Sequence, residues 1–163
     1  MLERARRSEL DHWAVTPRGR LALIIVLDQF SRSIHKGTPL AYAQDPAALR
    51  LAQEGIDAGM ERDMEVGERL FFVMPLGHTE DPALPERAQW LVRFHEEQVD
   101  RAPAHLRPIY EFSLSQAEAH RDVIARFGRH PHRNEVLGRA STPEEAEYLR
   151  TETPPHLRRP PSS

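Results

Sequence analysis

Apolar residues recur at three- and four-residue intervals along most of the chain, and no stretch alternates convincingly at a spacing of two. That period belongs to amphipathic helices rather than to half-buried strands. Proline falls repeatedly just inside the start of such stretches. Thr16-Pro17, Asp45-Pro46, Asp81-Pro82 and Thr142-Pro143 each read as an N-cap followed by the first helical position. Glu144 and Glu145 suit the positive end of the last of these. No Asn-Gly or Asp-Gly hairpin signal occurs. The pattern predicts helices over 2–13, 17–34, 46–59, 65–75, 83–101, 108–127 and 143–150.

Leu21 to Leu27 is apolar throughout, and by periodicity alone it also fits a buried strand. The Thr-Pro start and the continuation through Phe30 and Ile34 favour a central helix, buried nearly all round. In 83–101, Ala83, Leu84, Trp90, Leu91 and Phe94 are apolar, and Glu96, Glu97 and Asp100 face water. In 108–127, Ile109, Phe112, Gln116, Val123, Ile124 and Phe127 recur at helical spacing, and Gly128 with Pro131 marks a stop. Short connections make consecutive helices antiparallel neighbours, so the fold class is all-α, a bundle or solenoid. No clean internal repeat appears at the tetratricopeptide period. Residues 1–150 read as a single helical domain. Residues 151–163, with Pro154, Pro155, Pro160 and Pro161, read as a disordered or loosely draped tail.

Composition removes several chemistries. The 163 residues include no cysteine, which excludes disulfides, thiolate-held zinc, iron–sulfur clusters and thiol nucleophiles. The net charge is -3 with histidines neutral, so no global field attracts nucleic acid or an anionic membrane, and neither is expected as a partner. The start of the chain is charged throughout, and Leu21 to Leu27 is far too short to span a bilayer. A cytoplasmic protein is therefore expected. The eight glycines are scattered and form no phosphate loop. Lys36 is the single lysine, and the remaining basic side chains are arginines able to make planar ion pairs.

Three constellations could carry chemistry. In Asp28-Gln29-Phe30-Ser31-Arg32, Asp28 and Arg32 lie one helical turn apart. They read either as an ion pair at the core edge or as a polar pocket floor, with Arg32 holding an anion. In His78-Thr79-Glu80-Asp81, capping accounts for Asp81 but not for His78 and Glu80. Such a loop binds a metal or an anion, or is simply polar. The densest runs from His120-Arg121-Asp122 to Arg126, Arg129, His130, His132, Arg133 and Asn134. His120 falls within the apolar stripe, where a satisfied core histidine is the bland alternative. The arginines equally suit a helix C-terminus. No HExxH or GxSxG pattern occurs, and Ser31, Ser113, Ser115 and Ser141 lack the context of a nucleophile. A binuclear metal site would draw on His78, Asp81, His120, Asp122 and His132, which the spacing does not bring together.

Four segments together resemble one bacterial family, catalogued as domain of unknown function 924. They are Leu21 through Phe30 with Gly37-Thr-Pro, His78-Thr-Glu-Asp, His120 through Arg129, and Pro131 through Arg139 followed by Ser141-Thr-Pro-Glu-Glu. The resemblance runs from about Asp11 to Leu149 and implies an all-helical, tetratricopeptide-like fold without an assigned activity. It places the recurrent polar positions on Asp28, Gln29, Arg32, His78, Glu80, Asp81, His120, Arg121, Arg129, His132, Arg133 and Asn134. Ser31, Ser33 and Gly77 depart from the family pattern, as does His130, which stands where an aromatic residue is typical and is left out of the site. The resemblance also implies a Trp/Phe-rich N-terminal stretch ahead of Met1 that is missing here, through a truncated gene model or a genuine loss; a genuine loss would uncover an apolar face and favour a homodimer or instability.

These residues admit three functions. The leading one is a binding module whose Arg/His/Asp cluster takes a small anionic ligand or an acidic peptide. The second is a metal-assisted hydrolase using His78, Asp81, His120 and His132, and only this one calls for a divalent metal. The third is a helical subunit that docks on another protein.

Overall fold

The first helix is short. Helix α1 spans only Leu2–Arg6, with Leu2 and Ala5 buried on it. Ser8 turns the chain with a left-handed φ of 59°, and Leu10 ends 1% exposed. The predicted 2–13 helix is thus cut short, and a 3-10 turn, Asp11–Val15, follows.

The computed structural model describes residues 1–80, 85–152 and 154–157. Among these the structure is all-α, with no strand. The chain falls into two compact units, Met1–Thr79 and Glu80–Ser163. No helix among the described residues is long and apolar enough to cross a membrane.

In the first unit, Thr16 caps α2 (Pro17–Ile25) by accepting from the Gly19 amide at 3.2 Å. A π turn, Val26–Phe30, and α3 (Ser31–Ile34) continue it, so the apolar run is helical. Helix α4 (Asp45–Asp57) begins one residue earlier than its Asp-Pro signal predicts. Asp45 is the first helical residue rather than the cap, because its carboxylate is engaged elsewhere, by Arg32. Helix α5 (Val66–Val73) opens on a Glu65/Glu68 capping box that the prediction missed. Pro75 lacks an N–H and interrupts the run, which resumes as α6 (Pro75–His78). Helix α2 lies against α4 and α5, and α4 lies against α6. Leu23, Ile24, Ala48, Ala52, Phe72 and Val73 fill the space between them.

In the second unit, α7 (Pro85–Arg101) and α8 (Arg107–Phe127) pack along each other. Ala83 and Leu84, placed in the predicted helix, lie outside the described residues, as does the Asp81-Pro82 cap. Leu91 and Phe94 are buried, and Glu96, Glu97 and Asp100 are exposed. The buried side of α7 also holds His95 and Gln98. Burial pushes the His95 pKa down to about 4, so its ring is neutral at pH 7. On α8 the stripe is shifted at its start: Ile109 is 49% exposed and Tyr110 is buried instead. Gly128, at φ 68°, ends α8. Helix α9 (Pro143–Thr151) starts on a Thr142/Glu145 capping box. Beyond it Pro154 and Pro155 are buried, and Pro155–Leu157 form a 3-10 turn against α8.

Gly55 shows how tightly the first unit is packed. A Cβ there would collide with Phe72, which is 0% exposed, and would stand 2.7 Å from Arg20 Cδ. Alanine gains about 1 kcal/mol in helix propensity, while overpacking costs about 1–3 kcal/mol. Gly55→Ala is therefore expected to lower the urea midpoint with an unchanged m-value. A raised midpoint would contradict this packing.

Candidate functional site

Each unit gathers its polar residues around a buried carboxylate. In the first, the wide turn at the end of α2 buries three successive residues, Val26, Leu27 and Asp28. In an ordinary α-helix these would spread over about 200° of the surface. The Asp28 side chain is 1% exposed, and its Oδ1 accepts from Arg32 Nη2 at 2.9 Å. The same oxygen lies 2.8 Å from Nδ1 of His78, at the end of α6. Asp28 Oδ2 accepts from Gln29 Nε2, which also reaches Met74 Sδ at 3.0 Å. Arg32 Nη2 donates further to Asp45 Oδ1 at 2.8 Å, and its guanidinium stands over the Tyr42 ring at 5.4 Å. Arg32 Nε is buried with no hydrogen-bond partner among the described residues.

Burial pushes the Asp28 carboxyl upward. The charge and hydrogen bond of His78, then Arg32 and Gln29, outweigh it and hold the group well below the usual carboxylate range. Asp28 is thus a carboxylate at neutral pH, fixing the imidazole of His78 through Nδ1.

In the second unit the buried carboxylate is Glu145, 2% exposed, at the third position of α9. Arg129 grips it with two donors, Nε at 2.6 Å and Nη2 at 2.8 Å. Asn134 Nδ2 and the Thr142 amide donate to Oε2 at 3.1 and 2.8 Å. These bonds, Arg129's first, pull the carboxyl down to about 2 against the opposing effect of burial. Glu80 forms a parallel clamp. Arg139 donates to it twice, at 2.7 and 3.0 Å, and the His130 amide donates at 2.8 Å. Burial raises the Glu80 carboxyl, but Arg139, the His130 amide and the Arg133 charge together hold it below its ordinary value.

The two clamps fix the loop between α8 and α9, and with it a row of imidazoles. The His130 ring is 5.4 Å from that of His120 and 5.4 Å from that of His132. His130 is 1% exposed, and Arg133 beside it is buried as well. His120 and His132 are half-buried.

The sequence-predicted residues therefore divide. Asp28, Gln29, Arg32 and His78 meet in the first unit. Glu80, Arg129, Arg133 and Asn134 surround the loop that carries His132, with His120 beside it. Arg121 instead pairs with its neighbour Asp122 at 2.8 Å. Asp81 lies outside the described residues. Among the described residues no group of three or more His, Asp or Glu side chains is arranged to hold a metal ion. Sequence reasoning missed Asp45, Arg139 and the clamping role of Glu145, and it left out His130, which lies between the other two rings. The Pro131-His-Arg-Asn-Glu-Val-Leu-Gly-Arg segment ends on Arg139, and that was the available signal.

Comparison with known proteins agrees with this architecture. A family model described as "Bacterial protein of unknown function (DUF924)" matches residues 1–153. The solved structure of the protein of unknown function ATU0120 from Agrobacterium tumefaciens superposes with a TM-score of 0.74 at 39% identity, covering 91% of this chain and 76% of that one. A search of curated proteins gave no match.

The clamps set two expectations. Removing one partner of a buried pair costs about 3–5 kcal/mol, so Asp28→Ala should lose an amount of that order in urea unfolding, against at most about 1 kcal/mol for the exposed Arg18–Glu68 pair. Glu145 has a lower pKa folded than its ordinary 4.5, so its contribution is complete above that value and is lost as pH falls toward about 2. Glu145→Gln should therefore flatten the acid limb of the stability profile in this window. An unchanged limb would show that other carboxylates set it.

Proposed function

We propose that this chain, which belongs to the DUF924 family of bacterial proteins of unknown function, is a cytoplasmic ligand-binding protein whose second unit takes a small anionic molecule. One observation carries the reading: the imidazole row His120–His130–His132, held beside Arg133 by the Glu80 and Glu145 clamps. Imidazoles and a guanidinium supply N–H donors, and protonation adds positive charge where an anion would sit. Among the described residues the cluster sets three guanidiniums, Arg129, Arg133 and Arg139, against two carboxylates, Glu80 and Glu145. Arg129 and Arg139 hold the frame through these clamps. We assign the ligand's contacts to the histidines and Arg133, which lie on and beside the loop that these clamps hold. A rigid frame suits this role, because donors already in place lose little entropy on binding.

A phosphate titration tests the reading. Inorganic phosphate, citrate and a triglutamate peptide would be added while the imidazole resonances are followed by NMR. At least one probe is expected to shift His120 and His132 saturably. His132→Gln and Arg133→Gln should weaken that probe by about tenfold or more, and Arg121→Gln should not. A response strongest with triglutamate would point to an acidic peptide as the ligand. Imidazole signals that none of the probes moves, or equal binding by His132→Gln, would overturn it.

A further inference from the structure

The first unit contains a cavity of about 270 Å³ that the polar clusters do not use. It lies where α1, the turn after it, the π turn and α4 meet. Part of its lining is apolar and mostly small: Ala5, Ala14 and Ala47, with Leu27 and Leu51. The space equals about nine water molecules' share of liquid volume. A cavity lined this way gains by exchanging some of that water for an apolar body.

The remaining lining is polar: beside Ser8 and Gln44 it is charged, with both signs balanced. Arg6 and Arg50 contribute guanidiniums, and Asp11 and Glu54 contribute carboxylates. Two of the ion pairs already present are weak competitors: Arg6 pairs with Glu3 at the exposed surface, and Arg50 stands 3.8 Å from Glu54, also exposed. Glu54 is held more closely from the other side by Arg20, whose Nη1 donates to it at 3.1 Å. Asp11 is exposed and makes no ion pair among the described residues. Ser8 lines the same space and holds the one positive φ among non-glycine residues described, 59°. A serine in that conformation is strained, and such strain gathers at binding sites.

We propose that this cavity binds a free α-amino acid with an apolar side chain of about leucine's size. The match is one of charge type as well as volume. A lining with equal numbers of guanidiniums and carboxylates disfavours a ligand with net charge and suits a zwitterion. The ligand ammonium meets Asp11, its carboxylate meets Arg50, and its side chain lies among the alanines and leucines. The site is independent of the anion reading of the second unit, and its probes are different.

Calorimetry and amide NMR with three probes decide the matter: L-leucine, 4-methylvaleric acid and isoamylamine. The last two each lack one of the two charges. L-leucine should bind saturably and shift amides of residues 5–14 and 44–54. Each half-molecule should bind at least about tenfold more weakly. Ala47→Leu fills the space and should abolish binding. Asp11→Asn and Arg50→Gln change exposed side chains, so they test the site even if Ala47→Leu fails to fold, and each should weaken L-leucine about tenfold. The proposal falls if L-leucine leaves those amides unmoved, if both half-molecules bind as well as it does, or if Asp11→Asn and Arg50→Gln bind it like the wild type.

Discussion

Taking the Asp28 carboxylate out of water costs several kcal/mol unless its oxygens are occupied. Much of the first unit's polar geometry follows from that requirement. Gln29, Arg32 and His78 supply the partners, and Arg32 must in turn be placed, which Asp45 and the Tyr42 ring accomplish. Asp45 therefore leaves its capping role, and α4 starts where it does. Helices α2, α4 and α6 are tied to one another by a charge as well as by Leu23, Phe72 and Val73. The apolar contacts supply the larger share of stability. The charge network adds geometric definition, since its bonds tolerate few alternative arrangements.

The second unit meets the same requirement with different parts. There the buried carboxylate sits in the first turn of α9, where the helix dipole and the Thr142 amide already favour it. Arg129 completes the set with a two-pronged grip, a geometry that lysine's point charge cannot reproduce. The near-absence of lysine thus has a structural counterpart. Arg129 and Arg139 each face a carboxylate with two donors, and each also braces a backbone carbonyl of the loop. These bonds hold a loop whose regular structure is the Pro131–Arg133 3-10 turn.

Local features were legible in the sequence. Thr142-Pro143, Gly128 and the Asp28/Arg32 pair all depend on neighbours within a few residues, and each has a direct physical signature. The contact of His78 with Asp28 joins residues 50 apart, and that of Arg139 with Glu80 joins residues 59 apart, so neither leaves a periodic trace. Glu145 looked like a dipole-complementing acid because that is part of what it is. The histidine row was obscured by His120, which carries the spacing of a core position. The π turn was hidden for a simpler reason: it begins at the end of the all-apolar Leu21–Leu27 run, where a slip of one residue changes little of the pattern.

That slip has an evolutionary side. A π turn holds one residue more than the α-turn it replaces. Deleting a single codon within Val26–Phe30 would let α2 and α3 join as one regular helix, at little cost to backbone hydrogen bonding. The residues beyond it would keep nearly their present angular positions, because five residues at the wider π spacing turn the chain about as far as four in an α-helix. Arg32 would still lie one turn from Asp28, at a spacing of three or four residues. The deletion would instead remove the local widening that buries Val26, Leu27 and Asp28 in succession. The surplus residue thus shapes the polar centre without setting the register of the helix beyond it.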